Sequence, residues 1–355
     1  MDKKNKMLTF SAIDKYIEEN VILPTETDIN NQKFGDGNKY PTFIYDAYFN
    51  STTLKTVVQS VIDYVVGDDV ESTETVLTKS KLEKLVFAMA HSYAVFGGFA
   101  LNILRNRIGG IADIVPVDMR CLRTNKDNTV FYYSEDYCKR SYGRSKYVTY
   151  EKFDKTRSNQ FSSIFYYKNT MFQTYPSPIW SAAVNSALID AKVGEFHLNN
   201  LTNGFAPNFM ICMNNGVPTD EVMEEIEESF NEKFTGTENA GRVLIAYSND
   251  KDHSPSIEQI NVQDFADKYK SLVEYSKEQI YSSFRINEVL LGINRENGGF
   301  SDMDFAESYK LFNRTMVKSI QKIIVNTFDE IFDREGVISI KPFSFEGDTE
   351  KLVEN

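Results

Sequence analysis

The chain has 355 residues, 41% hydrophobic and 13% aromatic, and carries 51 acidic against 39 basic residues for a net charge of −12. That length and apolar content predict a sizeable core or two to three modules, and exclude a disordered chain. The acidic balance excludes an ordinary nucleic-acid binder, whose footprint is basic, so any nucleic-acid contact has to be local or weak.

Residues 1–47 carry turn signals at Asn30-Asn31, Gly35-Asp36-Gly37 and Pro41, and predict a partly extended, loosely packed segment. Residues 52–66 predict a helix with Thr52 or Thr53 as its cap and Leu54, Val57, Val58, Val61, Ile62 and Val65 on its apolar face; Gly67-Asp68-Asp69 ends it. A second helix is expected over 79–95, with Leu82, Leu85, Val86, Met89 and Tyr93 on one side. The period then changes to two. Phe99–Leu104, Ile111–Val115, Met119–Leu122 and Thr129–Tyr133 predict strands joined by turns at Gly109-Gly110 and 124–128, with further strands at 147–152 and 161–167. The N-terminal half thus predicts an α+β fold class, with a twisted antiparallel sheet over 1–177.

Tyr175-Pro176-Ser177-Pro178 breaks the chain before a helix at 180–203. Ala183, Ala187, Ala191 and Gly194 form a small-residue stripe there, which lets another backbone come close. Residues 207–260 predict a compact β-α-β-β insert: Phe209–Met213, a helix at 220–234 capped by Thr219, Arg242–Tyr247 and Ser256–Ile260. The insert helix turns Val222, Met223, Ile226, Phe230 and Phe234 inward. It shows Asp220, Glu221, Glu224, Glu225, Glu227, Glu228 and Glu232 outward against Lys233, which is either a solvated face or a docking surface for a basic partner.

Two long helix patterns, 262–285 and 303–334, flank the polar loop Gly292–Phe300. In the second, Phe305, Tyr309, Phe312, Met316, Ile320, Ile323, Thr327 and Ile331 predict one buried stripe. Lys310, Arg314, Lys318 and Lys322 run along the other side as a basic row. Such a row faces water, pairs with acids of a neighbour, or meets DNA. Val337–Ile340 predicts a strand added to a sheet elsewhere.

The cysteines Cys121, Cys138 and Cys212 are widely spaced and predict neither a disulfide framework nor a zinc site; they suit a reducing compartment. The basic N-terminus has no apolar run behind it, so a signal peptide is not expected, and no apolar stretch is long enough to cross a membrane. His91, His197 and His253 lack metal-ligand spacing, and His91 falls near an apolar helix face, a structural position. No Walker A loop, dinucleotide fingerprint or nucleophile elbow is present. No catalytic residue, metal or cofactor is expected, and the chain reads as a structural part rather than an enzyme.

Four segments, in order, resemble the tailed-bacteriophage portal proteins. They are Tyr93–Ile103 followed by Ile111–Asp118; Ala187–Ala191 leading to Asn203-Gly204-Phe205-Ala206-Pro207; Gly236-x-x-Asn239-Ala240-Gly241-Arg242; and Ile280-x-x-x-Phe284 running to Leu290-Leu291-Gly292. The match covers roughly residues 50–335 and departs where Asn287 and Glu288 replace the family's usual prolines, which implies a less rigid loop entry.

The resemblance implies a wing-like α+β domain over 1–178, stem helices over 179–204 and 262–286 lying antiparallel, and a clip-like insert over 205–261. It further implies a tunnel loop over 287–301, a long kinked wing helix over 302–335, and a short tail over 336–355 with the crown reduced or absent. It implies a ring of about twelve copies around a channel for double-stranded DNA, read without sequence preference. The stem residues Phe265, Tyr269, Leu272, Val273, Tyr275 and Ile280 would be shared with neighbouring copies. Asn294, Arg295, Glu296, Asn297, Gly298 and Gly299 would line the channel, Arg295 being either its DNA contact or an ordinary solvated residue. Glu221, Glu224, Glu225 and Glu228 would form the clip docking surface. The implied partners are the terminase large subunit, a head–tail connector or adaptor, and a major capsid or scaffold protein, with no membrane. The implied location is the virion portal vertex, after assembly in the host bacterial cytoplasm. A scaffold or adaptor without a DNA channel is the alternative reading.

Overall fold

The computed structural model describes residues 27–28, 31–138, 147–203, 209–213, 218–219, 222, 243–247, 262–293 and 302–344. Contacts divide the chain into two units, Met1–Ala187 with Glu278–Asn355, and Leu188–Lys277.

The chain enters through a short antiparallel pair, β1 (Thr27–Asp28) and β2 (Asn31–Gln32). α1 (Tyr40–Asn50) follows and buries Phe43, Ile44, Ala47 and Tyr48. This corrects the expectation of loosely packed chain over this stretch. Phe43, Ile44 and Ala47 recur at helical spacing, and Pro41 sits in the first turn, where its missing N–H breaks no helix bond. α2 (Thr52–Val66) has the expected bounds but a different cap: the Ser51 hydroxyl accepts from the Leu54 N–H at 3.1 Å, in place of Thr52 or Thr53. Its Leu54, Val57, Val58, Ile62 and Val65 are fully enclosed, worth roughly 1.5–3 kcal/mol each against exposure.

β3 (Asp69–Ser72) leads to α3 (Lys79–Phe96), which ends at Gly97 with φ 77°. Only glycine fits there, because a Cβ would run into the Ser177 carbonyl. β4 (Gly98–Arg105) and β5 (Ile111–Val117) form a hairpin. Met119–Cys121 is a 3₁₀ turn rather than the expected strand, because the Asp118 carboxylate accepts from the Arg120 N–H at 2.9 Å and rolls the chain over. The sheet continues through β6 (Leu122–Thr124), β7 (Val130–Tyr133), β8 (Val148–Lys152) and β9 (Ser162–Lys168).

Its strand order is β1-β2-β6-β7-β8-β9-β4-β5. The expected antiparallel sheet is corrected at one place: β8 and β9 pair parallel, with Glu151 opposite Ser163. Phe99, Leu101 and Ile103 of β4 are buried, as are Ile164 and Phe165 of β9.

After a 3₁₀ turn at Ser181–Ala183 comes α4 (Val184–Asn203). Of its small-residue stripe, Ala183 and Ala187 are buried while Gly194 is exposed with open space around it. In the second unit β10 (Phe209–Met213) and β11 (Val243–Tyr247) pair parallel. Of the helix expected at 220–234, only Val222 lies within the described residues, and it is helical; the strand expected at 256–260 lies outside them. α5 (Val262–Phe284) follows.

The last helical run comprises α6 (Asp302–Phe312), a π turn at Asn313–Val317 and α7 (Lys318–Phe332). The π turn adjusts the apolar stripe. Phe312, Met316 and Ile320 are buried at steps of four, and beyond them the seam runs through Ile324, Thr327, Phe328 and Ile331, leaving Ile323 only half-buried. A wide turn absorbs part of the drift of these steps of four, which continue through Ile324 and Phe328 before the step of three to Ile331. α7 packs on α2 and α3, and the Gln321 amide donates to the Val65 carbonyl at 3.0 Å. β12 (Ile338–Lys341) joins β3 antiparallel as a separate two-stranded sheet.

Candidate functional site

The Lys310, Arg314, Lys318 and Lys322 row spans α6, the π turn and α7, and all four side chains are exposed. Among the described residues none of the four has an ion-pair partner. A step of four on an α-helix overshoots a full turn by about 40°, and the wider π turn reduces that drift. The buried side-chain oxygen of Asn313, within this turn, has no hydrogen-bond partner. The row is therefore a run of solvated positive charge on an acidic chain.

Asn294, Arg295, Glu296, Asn297, Gly298 and Gly299 lie outside the described residues, as do Glu221, Glu224, Glu225 and Glu228. The entry to the loop is described, and it is tied down rather than loosened by the replacement of proline. The Asn287 side chain accepts from the Leu290 N–H at 3.3 Å and donates to the Ser308 hydroxyl at 2.7 Å. The Tyr64 hydroxyl donates to the Leu290 carbonyl at 3.0 Å, and Gly292 ends the 3₁₀ turn Glu288–Leu291 with φ 71°. An asparagine supplies by hydrogen bonding what proline would supply by ring closure. Tyr64 packs edge-on to Phe312 and Phe343, and burial, with smaller contributions from Tyr309 and Asp63, pushes its pKa up to about 12. It is held as a neutral donor.

The other shifted tyrosines behave alike. Burial raises Tyr166, Tyr175 and Tyr40, the last to about 12. These groups anchor structure rather than exchange protons near neutrality. His91 is half-buried, edge-on to Tyr48 and stacked on Phe87, and burial lowers its pKa. That is the structural position its place near an apolar helix face implies. His197 and His253 have no described side chains.

One cysteine expectation is corrected. Cys121 and Cys138 are joined by a disulfide, with Cα atoms 5.4 Å apart. The Ser134 N–H donates to the Cys121 carbonyl at 2.9 Å, folding the two 3₁₀ turns at 119–121 and 135–138 together across 17 residues of sequence. Asp118 completes the one group of potential metal ligands among the described residues. Its carboxylate already holds the Arg120 guanidinium at 2.7 Å, and disulfide sulfurs are not thiolate ligands. No described helix is long and apolar enough to cross a membrane.

Comparison with known proteins places these elements. The family model for phage portal protein matches residues 82–342. The probable portal protein of Haemophilus phage HP1 (strain HP1c1) is 25% identical over 267 residues, covering 74% of this chain and 72% of that protein. An uncharacterized protein of Rickettsia bellii (strain RML369-C) is 28% identical over 200 residues, covering 54% and 50%. Among solved structures, a chain in the virion of the native gene transfer agent (GTA) particle superposes with a TM-score of 0.52 at 13% identity, covering 87% of this chain and 86% of that one. A chain in the neck of the native GTA particle, computed with C12 symmetry, gives 0.52 at 14% identity over the same shares. The fold is shared with these GTA particle chains, and the family match runs from α3 through β12; the chain belongs to the phage portal protein family.

Proposed function

We propose that the chain is the ring-forming portal subunit of a tailed-phage-like particle, set at the capsid vertex as a channel through which double-stranded DNA is packaged and ejected. The observation that carries this reading is the family match over residues 82–342. The fold shared with chains of a C12-symmetric particle neck supports a closed ring, in which one surface of each copy meets a different surface of the next.

The charge balance suits a channel that must pass a polyanion without gripping it. Many phosphate contacts would make binding strong and salt-dependent. A net −12 per copy repels the duplex except where cations project. Arg295 in the loop 287–301 takes that role, with Asn294, Glu296, Asn297, Gly298 and Gly299 completing the lining. The described entry of this loop is anchored to α2 and α6. The stretch 205–261 acts as the clip, where Glu221, Glu224, Glu225 and Glu228 dock the terminase large subunit and later a head–tail connector. Residues 1–178 and 302–335 face the capsid or scaffold protein. The protein works in the virion after assembly in a bacterial host.

Native mass spectrometry and negative-stain imaging of the purified chain test the ring. A closed ring wide enough for a duplex is expected; a chain that stays monomeric with its particle partners present overturns the proposal. Deletion of residues 292–300 is expected to leave rings intact and to abolish packaging or retention of DNA. Unchanged packaging would remove the loop assignment.

A further inference from the structure

The loop between β9 and the turn at 181–183 presents two large apolar side chains to solvent, Met171 at 82% and Phe172 at 96% exposure. This is no loose excursion. The Asn169 side chain donates to the Ser177 carbonyl at 2.8 Å and accepts from the Ser177 N–H at 3.1 Å. The Thr170 hydroxyl donates to the Tyr175 carbonyl at 2.8 Å, and the Asn128 amide donates to the Thr174 carbonyl at 3.1 Å. Tyr175 is buried, stacked on Phe34 with centroids 4.0 Å apart. The backbone is fixed on both sides of the tip, and none of these bonds uses Met171 or Phe172. Single exposed apolar residues are common; an adjacent pair held out on a stapled loop marks a contact.

The same chain carries a surface of matching chemistry. A depression of about 610 Å³ has Val66, Val70 and Phe87 as its apolar lining, with Gly67, Asp68, Asp69, Glu83 and Lys84 around it. Phe87 is 43% exposed. We infer that Met171 and Phe172 of one copy insert into the Phe87 depression of the next copy, as an anchor of the ring contact. The inference rests on the ring reading above. A closed ring needs two different complementary surfaces on one chain, and a projecting apolar pair with an apolar-floored depression is such a combination. Thioether and ring against Phe87 is a favourable pairing. Two such side chains cover a few hundred Å², well short of the roughly 800 Å² per partner of a stable contact, so the tip acts as a hot spot within a wider surface.

The test uses the full chain. Phe172→Asp and Phe87→Asp are each expected to lower the ring fraction at fixed protein concentration by about tenfold or more, with the monomer's circular dichroism and melting unchanged. A benzophenone amino acid at position 172, in rings assembled from a mixture of unlabelled and ¹⁵N-labelled chains, is expected to cross-link to residues 66–87 of a different copy. Wild-type chain that never forms rings overturns the ring reading and this inference with it. Rings that survive Phe172→Asp, or cross-links that map elsewhere or to a partner protein, overturn the inference alone and leave the ring standing.

Discussion

The two units of the chain differ in what their described residues enclose. In the first, Trp180, Phe284, Phe312, Phe328 and the apolar face of α2 are enclosed, and β12 returns to pair with β3. In the second, the described parts of α4 and α5 leave Leu198 at 64%, Leu272 at 38% and Tyr275 at 56% exposure. The small-residue stripe follows the same division, buried at Ala183 in the 3₁₀ turn and at Ala187 in α4, and open at Gly194. The first unit has the core of a body that folds on its own. Among its described residues the second has no buried apolar side chain.

The comparison breaks most sharply at Trp180. Its ring is fully enclosed and its Nε1 donates to the Ala94 carbonyl at 3.2 Å, tying the start of the α4 segment to the end of α3. Trp180→Ala is expected to destabilise the first unit by about 3–5 kcal/mol in urea unfolding, from the cavity and the unpaired carbonyl together. A loss under about 1 kcal/mol would mean that this core is not the source of the unit's stability. Ser51 gives the next effect. Ser51→Ala should cost about 1 kcal/mol, whereas Thr52→Ala should stay within about 0.5 kcal/mol, which separates the observed cap from the one expected at Thr52.

On the other side of the comparison, Leu272→Asp with Tyr275→Asp should leave the melting of the monomer within about 0.5 kcal/mol of wild type, because both side chains are already wet. Ring assembly, read by native mass, should nevertheless fall. Strong destabilisation of the monomer would show that the second unit is closed on itself after all. Gln substitution of Lys310, Arg314, Lys318 and Lys322 together should likewise spare stability, since no described acid pairs with them.

What could be read from the residues follows which interactions are local. α2 was legible because Leu54, Val57, Val58, Val61, Ile62 and Val65 repeat on one face. The basic row was legible as exposed for the same reason. α1 was missed because Gly35, Gly37 and Pro41 read as turn signals, although a proline is at home in a first turn. Met119–Cys121 was misread as strand because its apolar residues hide the Asp118 carboxylate that rolls the turn. The parallel β8–β9 pair and the Cys121–Cys138 bond depend on which distant segments meet, and neither periodicity nor spacing encodes that. The expected seam holds at Phe312, Met316, Ile320, Thr327 and Ile331, and past the π turn it shifts by one residue from Ile323 to Ile324, a change finer than a stripe can resolve. The family resemblance came from four short motifs in order. The consequence of Asn287 was inverted, because its hydrogen bonds to Leu290 and Ser308 require the fold to be known.

The smallest effect concerns the boundary of the first unit's core, at His91. Burial lowers its pKa from the ordinary 6.5, Arg120 adds to the lowering, and Asp118 opposes it. The folded state therefore favours the neutral ring, and the unfolded chain takes up the proton first as pH falls. Stability is unaffected well above 6.5, declines as pH drops from 6.5 through the folded value, and is reduced by a constant amount below both. Replacing His91 by Gln removes this term, so wild type should lose melting temperature relative to His91→Gln between pH 7.5 and pH 5. A difference that stays flat across that window would place His91 in water in the folded state, and would put the edge of the core between Met89 and His91 rather than beyond it.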